Sequence, residues 1–466
     1  MLTELHVENF KAWRELKIEF GKVTALFGEN SAGKSSLMQF LLMLKQTKNA
    51  ADRGLVLDFG GGPTELVNLG NYRAAVHRAQ ATEALPDMGW DLRWRLPTEL
   101  KIGDPLGSPS EVLYSGNQLQ LTTSVGPAGS GSGVSARRLT YAFDGTTFEL
   151  RPKDSGGKFE LASEGRHPFR FVRNVGRGWP LPGPVKTHLD PGAARNLFQN
   201  TDLLSEFENA YETLMDRIYY LGPLREHPQR EYRWTGAGRE GVGDSGEFTI
   251  DAILAATDRD WRENLAWKRR TKPFQEMVAY WLRELDLIES FSVREVVEGS
   301  SLYEAQVKRS RGGPETTLMD VGFGVSQVLP VLVLLYYVPR GSIVLMEQPE
   351  IHLHPSVQSG LADVMLAVAL RRNVQIVVES HSEHLLRRLL RRVAEEKQPH
   401  SGLALSHSDL RLYFVRSERG KATLESLHLN EWGGIENWPD KFFGDEMAEI
   451  AATSRAGIER RMRANG

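Results

Sequence analysis

The stretch that decides the fold is Gly28-Glu29-Asn30-Ser31-Ala32-Gly33-Lys34-Ser35-Ser36. The apolar run Val23 to Phe27 precedes it, and a helix-like segment, Leu37 to Leu44, follows it. A strand, a glycine-rich loop and a helix in this order form a phosphate-binding loop, because the N–H groups of the loop and the positive end of the helix dipole converge on one anion. The stretch therefore predicts a nucleotide phosphate site near the amino terminus.

The side chains of the loop suit that chemistry. Lys34 is placed to reach the β- and γ-phosphates, and Ser35 offers a hydroxyl to Mg²⁺. The residues predicted to bind the phosphates are Asn30, Ser31, Ala32, Gly33, Lys34, Ser35 and Ser36. The alternative is a glycine turn that binds nothing, which the complete G-x-x-x-x-G-K-S spacing disfavours.

Composition narrows the class of protein. The length of 466 residues is enough for two or three globular domains. The residues are 41% hydrophobic and 25% charged, and the net charge of −3 gives no overall attraction to nucleic acid. Cysteine is absent from the sequence, which excludes disulfides, thiolate zinc sites and thiol nucleophiles. The first residues alternate like a strand instead of forming a signal peptide, and the longest apolar run, Val328 to Val338, is too short to cross a bilayer. A soluble, cytoplasmic protein without membrane contacts is expected.

Changes of pattern divide the chain into five segments. Residues 1–90 are predicted to form the first part of a nucleotide-binding core, and residues 91–190, with short alternating runs between Gly/Ser stretches, a β-rich lobe. Residues 191–310 are predicted to form a helical insertion, residues 311–400 the second part of the core, and residues 401–466 terminal strands with an extension.

The insertion contains two helical patterns and a basic stretch between them. Helical periodicity covers Ala193 to Tyr220 and Trp261 to Leu287. Arginines in the stretch Arg225 to Arg239 alternate with Tyr232 and Trp234. Such a stretch can stack on and neutralise nucleic acid, although a solvated charged loop is the commoner case.

A second anion cradle is predicted in the other half of the chain. Gly324-Val325-Ser326-Gln327 opens an apolar helix, where free N–H groups and an outward-facing serine hydroxyl suit a phosphate. The residues predicted to bind nucleotide here are Gly324, Ser326 and Gln327. Because the chain already has one phosphate loop, this cradle makes sense if it closes over nucleotide held by a neighbouring copy.

Two later apolar runs end in polar residues that suit hydrolysis. The run from Ser342 ends in Glu347, and a strand parallel to the one before the phosphate loop would place this carboxylate beside Mg²⁺ held by Ser35. The run from Val374 leads to His381, which can hydrogen-bond a γ-phosphate or the attacking water at the carboxyl edge of the sheet. A core strand with a polar end is the alternative for each.

Two histidine pairs raise the question of a metal centre. The pairs are His352 with His354 and His381 with His384. They lie on different segments, and the sequence offers no third ligand cluster, so a zinc site is disfavoured.

These motifs, in this order, resemble those of ABC-type ATPase heads of the SMC, RecF and OLD-like class. Gly28 to Ser35 is similar to the Walker A loop, and the stretch Gly324 to Gln327 is similar to the signature motif. The stretch Ile343 to Gln348 is similar to the Walker B strand with its following acid position, and His381 corresponds to the switch histidine. The resemblance implies a P-loop α/β fold with a mixed sheet, an antiparallel β lobe and a helical insertion. It also implies ATP and Mg²⁺ as cofactors.

The same resemblance implies an assembly. Two chains are expected to pair head to tail, so that Lys34 and Ser35 of one face Gly324 and Ser326 of the other across ATP. The expected assembly is a homodimer or a higher homo-oligomer, and loss of ATP would dissociate it.

Three stretches are more specific. Glu347 to Pro355 and Glu379 to Ser382 look like OLD-like bacterial ATPases of antiphage defence, such as those of the Septu and Gabija systems. Trp438 to Phe443 resembles the carboxyl-terminal extension of one stand-alone group. The segment after His381 has no D-x-D cluster of a Toprim nuclease domain, so the resemblance implies a separate effector, a nuclease or a toxin.

The sequence departs from the family at two positions. Glu347 stands where aspartate is common and can still serve Mg²⁺, whereas Gln348 stands where the catalytic glutamate is usual. An amide cannot take a proton from water, so hydrolysis is expected to be slow unless Glu350 substitutes. The predicted catalytic residues are therefore Glu347, Gln348, Glu350 and His381.

Three functional interpretations stay open at this stage. One is an ATPase that controls a partner effector in antiphage defence, as the resemblance implies. The second is an SMC- or RecF-like ATPase that binds DNA in repair or recombination. The third is a scaffold that uses ATP for assembly and hydrolyses it poorly.

Overall fold

The computed structural model describes residues 1–52, 54–62, 65–78, 84–103, 111–128, 133–153, 158–187, 191–264, 271–395, 402–418 and 420–439. Its strands are β1 (Leu2–Phe10), β2 (Trp13–Glu19), β3 (Val23–Gly28), β4 (Met88–Gly103), β5 (Val112–Pro127), β6 (Val134–Phe143), β7 (Thr146–Pro152), β8 (Phe159–Gly165), β9 (Ile218–Leu221), β10 (Tyr232–Arg233), β11 (Arg262–Asn264), β12 (Thr271–Pro273), β13 (Ser290–Glu295), β14 (Leu302–Lys308), β15 (Glu315–Thr317), β16 (Ile343–Glu347), β17 (Gln375–Glu379), β18 (Leu410–Glu418) and β19 (Lys421–Leu427). Its helices are α1 (Lys34–Asn49), α2 (Tyr72–Ala75), α3 (Pro191–Leu197), α4 (Asp202–Asp216), α5 (Thr249–Asp258), α6 (Phe274–Glu284), α7 (Phe323–Tyr337), α8 (Pro355–Arg372) and α9 (Glu383–Ala394).

A mostly parallel sheet forms the core. Its strand order is β19-β18-β3-β17-β16-β9, and only β19 runs antiparallel to its neighbour. Because β18, β3, β17, β16 and β9 are parallel, their carboxyl ends meet at one edge. Ligands of open α/β sheets bind at this edge.

Both faces of this sheet are covered. In β16, Ile343 and Leu345 pack with α1 and α4 on one side, and Val344 and Met346 pack with α5 to α9 on the other. Burial on both faces explains why β16 and β17 read as continuous apolar runs instead of alternating ones.

A second, antiparallel sheet forms the β lobe. Its order is β2-β1-β4-β5-β6-β7-β8, so β1 and β2 belong to this sheet and not to the parallel core. The turn after β1 contacts the phosphate loop, since Trp13 donates its indole N–H to the carbonyl of Gly33 over 3.1 Å. The same turn accepts the N–H of Ala422 at the carbonyl of Ala12 over 2.9 Å. The predicted α/β fold with a mixed sheet and an antiparallel lobe is confirmed.

Two helical predictions for the insertion were wrong in part. Ile218 to Leu221 is strand β9, because its backbone pairs with β16 at the edge of the parallel sheet. Within Trp261 to Leu287, only α6 is helical in the described residues, and β11 pairs with β12 before it. In both places strand pairing outweighs local helical periodicity, with a distant strand for β9 and with the next strand along the chain for β11.

Smaller elements complete the described structure. β10, β14, β13 and β15 form a separate antiparallel sheet next to α6. The predicted extension from Trp438 to Phe443 lies mostly outside the described residues, which end at residue 439. Within the described residues, no helix is both long enough and apolar enough to span a bilayer.

Candidate nucleotide site

The phosphate loop joins β3 to α1 and needs glycine at two positions. Gly28 has φ of 137°, and a Cβ there would lie 2.0 Å from the carbonyl oxygen of Val415. Gly33 has φ of 104° and precedes α1. Since Gly33 has no side chain to accept from the first turn of α1, the N–H groups at this helix start stay open to an anion.

Lys34 lies at the centre of the loop. Its buried Nζ donates to the carbonyl oxygens of Gly28 (3.1 Å) and Glu29 (2.6 Å) and lies 3.9 Å from Oε1 of Glu379. Burial lowers the pKa of Lys34, and the charge of Glu379 opposes this change. A partly desolvated ammonium at the mouth of the loop is a strong donor for a phosphate oxygen.

The acid next to the phosphate loop is Glu379, which the sequence reasoning did not select. The hydroxyl of Ser35 donates to Oε2 of Glu379 over 2.7 Å. Strand β17 lies between β3 and β16, so Glu379 ends the strand beside β3, and Glu347 ends the strand beyond it. The sequence predicts Glu347 beside an Mg²⁺ held by Ser35. Glu347 ends the strand one further from the loop and still interacts with the Ser35 hydroxyl, so its place beside the cation stays a prediction. The available signal was an acid at the end of a buried apolar run.

Glu347 and Glu379 form a buried acidic pair. Burial raises the pKa of Glu347, and the nearby charge of Glu379 raises it further. Burial also raises the pKa of Glu379, whereas the hydrogen bond from Ser35 and the charge of Lys34 lower it. Tyr220 donates its hydroxyl to Oε1 of Glu347 over 2.9 Å.

These oxygen atoms fit Mg²⁺. A hydroxyl and carboxylates are the hard ligands that Mg²⁺ prefers, and a divalent cation would offset the repulsion between the two acids. In the part of the chain that the structure describes, no group of three or more His, Asp or Glu side chains is arranged to hold a metal alone. The ion would therefore need phosphate oxygens as well, as is usual for Mg²⁺ bound with a nucleotide.

Only one of the two carboxylate oxygens of Glu350 accepts hydrogen bonds from the described residues. Its Oε1 accepts from the hydroxyl of Ser380 (2.8 Å) and from the N–H of His381 (2.7 Å). Its Oε2 is buried and has no hydrogen-bond partner among the described residues. Burial raises the pKa of Glu350, so this carboxyl is a better base than an exposed one.

Gln348 and His381 flank Glu350. Gln348 has φ of 44°, a left-handed conformation that costs free energy for a side chain of this kind, and its N–H donates to the carbonyl of Glu379 over 2.8 Å. Burial, followed by the charge of Lys34, lowers the pKa of His381 and favours the neutral imidazole.

The signature segment is placed at the start of α7, with one difference from expectation. Ser326 and Gln327 are buried, and the hydroxyl of Ser326 donates to the carbonyl of Phe323 over 2.9 Å. The hydroxyl thus faces the first turn of its own helix and not outward, because this carbonyl lies within its reach. Gly324 is half-buried, and the Phe323 side chain is 62% exposed. A role of Gly324, Ser326 and Gln327 in nucleotide binding stays a prediction.

The basic stretch after β9 is largely engaged within the protein. Arg230 forms two hydrogen bonds of 3.1 Å with Asp320, and Trp234 packs edge-on against Tyr303 at 6.0 Å. Its first residue, Arg225, is buried at the site instead of exposed. The structure therefore gives no free aromatic-basic surface at these residues for nucleic acid.

Parts of this chain match known protein families. Residues 1–84 and 258–386 match the AAA ATPase domain family. Residues 405–452 match a second family, described as a protein of unknown function, DUF3696. The comparison with curated proteins gave no match.

Solved structures similar to this chain include three Smc heads. One is the Smc head bound to the C-terminal winged-helix domain of ScpA, with 12% identity, coverage of 92% of this chain and 98% of that chain, and a TM-score of 0.43. The head from Thermotoga maritima shows 12% identity, coverage of 92% and 99%, and a TM-score of 0.38. The Pyrococcus furiosus head with an extended coiled coil, bound to the C-terminal domain of ScpA, shows 11% identity, coverage of 91% and 96%, and a TM-score of 0.44.

The ATPase-domain match coincides with the site. Its first segment contains β3 and the phosphate loop, and its second contains α7 and the ends of β16 and β17. The residues between the two segments, 85–257, hold most of the antiparallel lobe. The similarity to an ATPase domain therefore covers the pieces that meet at the carboxyl edge of the parallel sheet.

Proposed function

We propose that this protein is an ABC-type ATPase that binds ATP with Mg²⁺ and joins two copies around it. The observation that carries the proposal is the contact set of Ser35 and Lys34 with Glu379 at the end of a parallel strand. A hydroxyl, an ammonium and a carboxylate meet there at the mouth of a phosphate loop. The match of the same segments to an ATPase domain supports this interpretation.

The chain's own residues suit each part of hydrolysis. The loop N–H groups and Lys34 bind the β- and γ-phosphates, and Ser35 with Glu379 and Glu347 would hold the cation. Mg²⁺, when bound, neutralises charge that develops on the phosphate oxygens. The free Oε2 of Glu350 accepts a proton from water, so that the water oxygen attacks the γ-phosphorus and ADP leaves.

Two further side chains orient the water and the phosphate. The amide of Gln348 can hydrogen-bond the water but cannot take its proton. The neutral imidazole of His381 can donate to a γ-phosphate oxygen. Turnover is expected to be slow, because proton transfer depends on Glu350, two residues beyond the usual position.

ATP-driven pairing is the first prediction. The exposed side chain of Phe323, next to Gly324 at the start of α7, suits a protein interface. With Mg²⁺ and a slowly hydrolysed ATP analogue, sedimentation velocity should show a dimer of about twice the monomer mass, whereas ADP should not produce it. Phe323→Asp should weaken this dimer by about tenfold or more, which corresponds to about 1.4 kcal/mol.

A matched surface variant controls for general effects. Trp179 on the β lobe is 66% exposed, similar to Phe323, and Trp179→Asp should leave the ATP-dependent dimer unchanged. A wild-type protein that binds ATP tightly and stays monomeric at all concentrations would contradict the paired assembly but not ATP binding.

We further propose that the ATP-held assembly controls a separate effector in antiphage defence. The resemblance of Glu347 to Pro355 and of Glu379 to Ser382 to defence ATPases supports this. Isolation of the native complex, with and without ATP, should recover a nuclease or toxin subunit. Recovery of the chain alone under both conditions would count against effector control.

A second candidate function is nucleic-acid binding by an SMC- or RecF-like ATPase. Four exposed arginines follow β8, namely Arg166, Arg170, Arg173 and Arg177, and none forms an ion pair with a carboxylate in the residues that the structure describes. Arginines of the neighbouring strands do, as Arg138 with Glu149 at 2.7 Å shows. Exposed Trp179 adds a stacking surface. Exposed basic groups without a carboxylate partner, beside an aromatic ring, suit a phosphate backbone.

The second prediction tests this surface. The logarithm of the affinity for single- or double-stranded DNA should fall linearly with the logarithm of the salt concentration. The double variant Arg166→Ala, Arg170→Ala should reduce the magnitude of that slope by about 2. Arg138→Ala, which removes a paired arginine, should change the slope far less. Binding that is absent or independent of salt would rule out this candidate.

A further inference from the structure

The site contains a buried cation that lacks a hydrogen-bond partner. All three guanidinium nitrogens of Arg225 are shielded from solvent, and none has a partner among the described residues. Burying an unpaired charge costs free energy in the folded protein. An arginine kept in this state points to a ligand that binds there and satisfies it.

The backbone around Arg225 is held on both sides. Gly222, just after β9, donates its N–H to the carbonyl of Asp244 over 2.7 Å. Glu226 donates its N–H to the carbonyl of Ser245 over 2.8 Å. The chain that carries the guanidinium is therefore fixed relative to the edge of the parallel sheet, and the buried position of Arg225 is not that of a loose surface side chain.

The groups that interact electrostatically with Arg225 lie at the carboxyl edge of the parallel sheet, where the proposed catalytic residues are. Burial lowers the pKa of Arg225 to about 10, and electrostatic interactions with Tyr220, Glu350 and Glu347 oppose this change. Tyr220 is already bonded to Glu347. Oε2 of Glu350, like the guanidinium, has no hydrogen-bond partner in the described part of the chain. A buried cation and a buried carboxylate thus interact electrostatically without a hydrogen bond between them.

We propose that Arg225 donates to the γ-phosphate of ATP bound in its own subunit and so distinguishes ATP from ADP. This inference rests on the proposed ATPase function. In this arrangement, Lys34 and the loop hold the triphosphate at the end of β3. Arg225 follows β9, which β17 and β16 separate from β3. The terminal phosphate, which extends from the loop toward the acids, is the group that an arginine on that side reaches. Guanidinium N–H groups match phosphate oxygens in geometry and charge.

The location also explains the free oxygen of Glu350. A γ-phosphate bound to Arg225 would lie near Oε2 of Glu350, where a water for attack has to be. Arg225 then positions the phosphate while Glu350 takes the proton. Such an arrangement requires that the guanidinium of Arg225 and Oε2 of Glu350 have no hydrogen-bond partner within the protein, and among the described residues they have none.

Binding of ATP and ADP by Arg225→Met tests the proposal. Calorimetry with a slowly hydrolysed ATP analogue should show affinity lower by about tenfold or more, whereas ADP affinity should stay within about twofold of wild type. Without nucleotide, the melting temperature should be equal or higher, because the variant removes an unpaired buried charge. Arg225→Lys, which keeps the charge but not the fork, should recover only part of the ATP affinity.

An exposed arginine from the same segment serves as the control. Arg233→Met should leave both affinities and the melting temperature unchanged. Equal losses for ATP and ADP, unchanged ATP affinity, or a lower melting temperature without nucleotide would each overturn the proposal in favour of a structural role for Arg225. Failure of wild-type protein to bind ATP would instead overturn the proposed function, so the two failures are distinguishable.

Discussion

Glu350→Gln is expected to lower the rate of ATP hydrolysis by about 100-fold or more while ATP affinity stays within about threefold of wild type. The glutamine carbonyl can still accept from Ser380 and His381, as Oε1 of Glu350 does, so the local structure should persist. The other oxygen, which has no partner in the described chain, becomes an NH₂ group that cannot take a proton. Phosphate release and equilibrium binding, measured on the same preparation, test this result.

The pH dependence provides a second readout of the same base. As the proposed base, Glu350 would act only when ionised. Burial raises its pKa, so the wild-type rate should fall as pH drops through that raised pKa. The acidic limb should disappear from the residual activity of Glu350→Gln. A variant that keeps both the wild-type rate and the limb would show that another group activates the water.

Gln348→Glu is the matched comparison for that experiment. It places a carboxylate where the ABC-type ATPases that the sequence resembles carry one, so turnover should rise above wild type and become less dependent on Glu350. If wild-type turnover is already fast and Glu350→Gln abolishes it, the scaffold that hydrolyses ATP poorly is excluded. If both variants match wild type, neither position carries the base.

Lys34→Ala is expected to weaken ATP binding by about 100-fold or more and to remove hydrolysis with it. The ammonium is buried at the loop mouth, where it donates to Gly28 and Glu29 and faces Glu379. Without it, the phosphates would meet the acids of the site with no neutralising cation side chain. Calorimetry with ATP and with ADP should show the loss for both, since the proposed contacts of this lysine include the β-phosphate.

Lys48 on the same helix is the control for Lys34. Its Nζ contacts Asp216 over 2.6 Å, far from the loop, and Lys48→Ala should keep ATP binding within about twofold of wild type. Tight ATP binding by Lys34→Ala would remove the basis of the proposed function.

Local patterns were sufficient for much of the fold. Alternation in Leu2 to Phe10 predicted a half-buried strand, and continuous apolar runs before Glu347 and Glu379 predicted buried parallel strands. They failed at Ile218 to Leu221, because membership of a sheet edge depends on a partner strand more than one hundred residues away in sequence. The sequence likewise did not show that β1 pairs with β4, and β2 with β1, instead of joining the core.

The sequence by itself determined the chemistry that is available: a glycine loop with Lys34 and Ser35, acids at strand ends and a polar helix start. Those depend on residue type and short spacing. Only the tertiary structure showed that Ser35 donates to Glu379, because strand order places β17 between β3 and β16. It also decided that Arg225 is a buried cation and not a surface charge, since burial depends on what packs around a side chain and not on its neighbours in sequence.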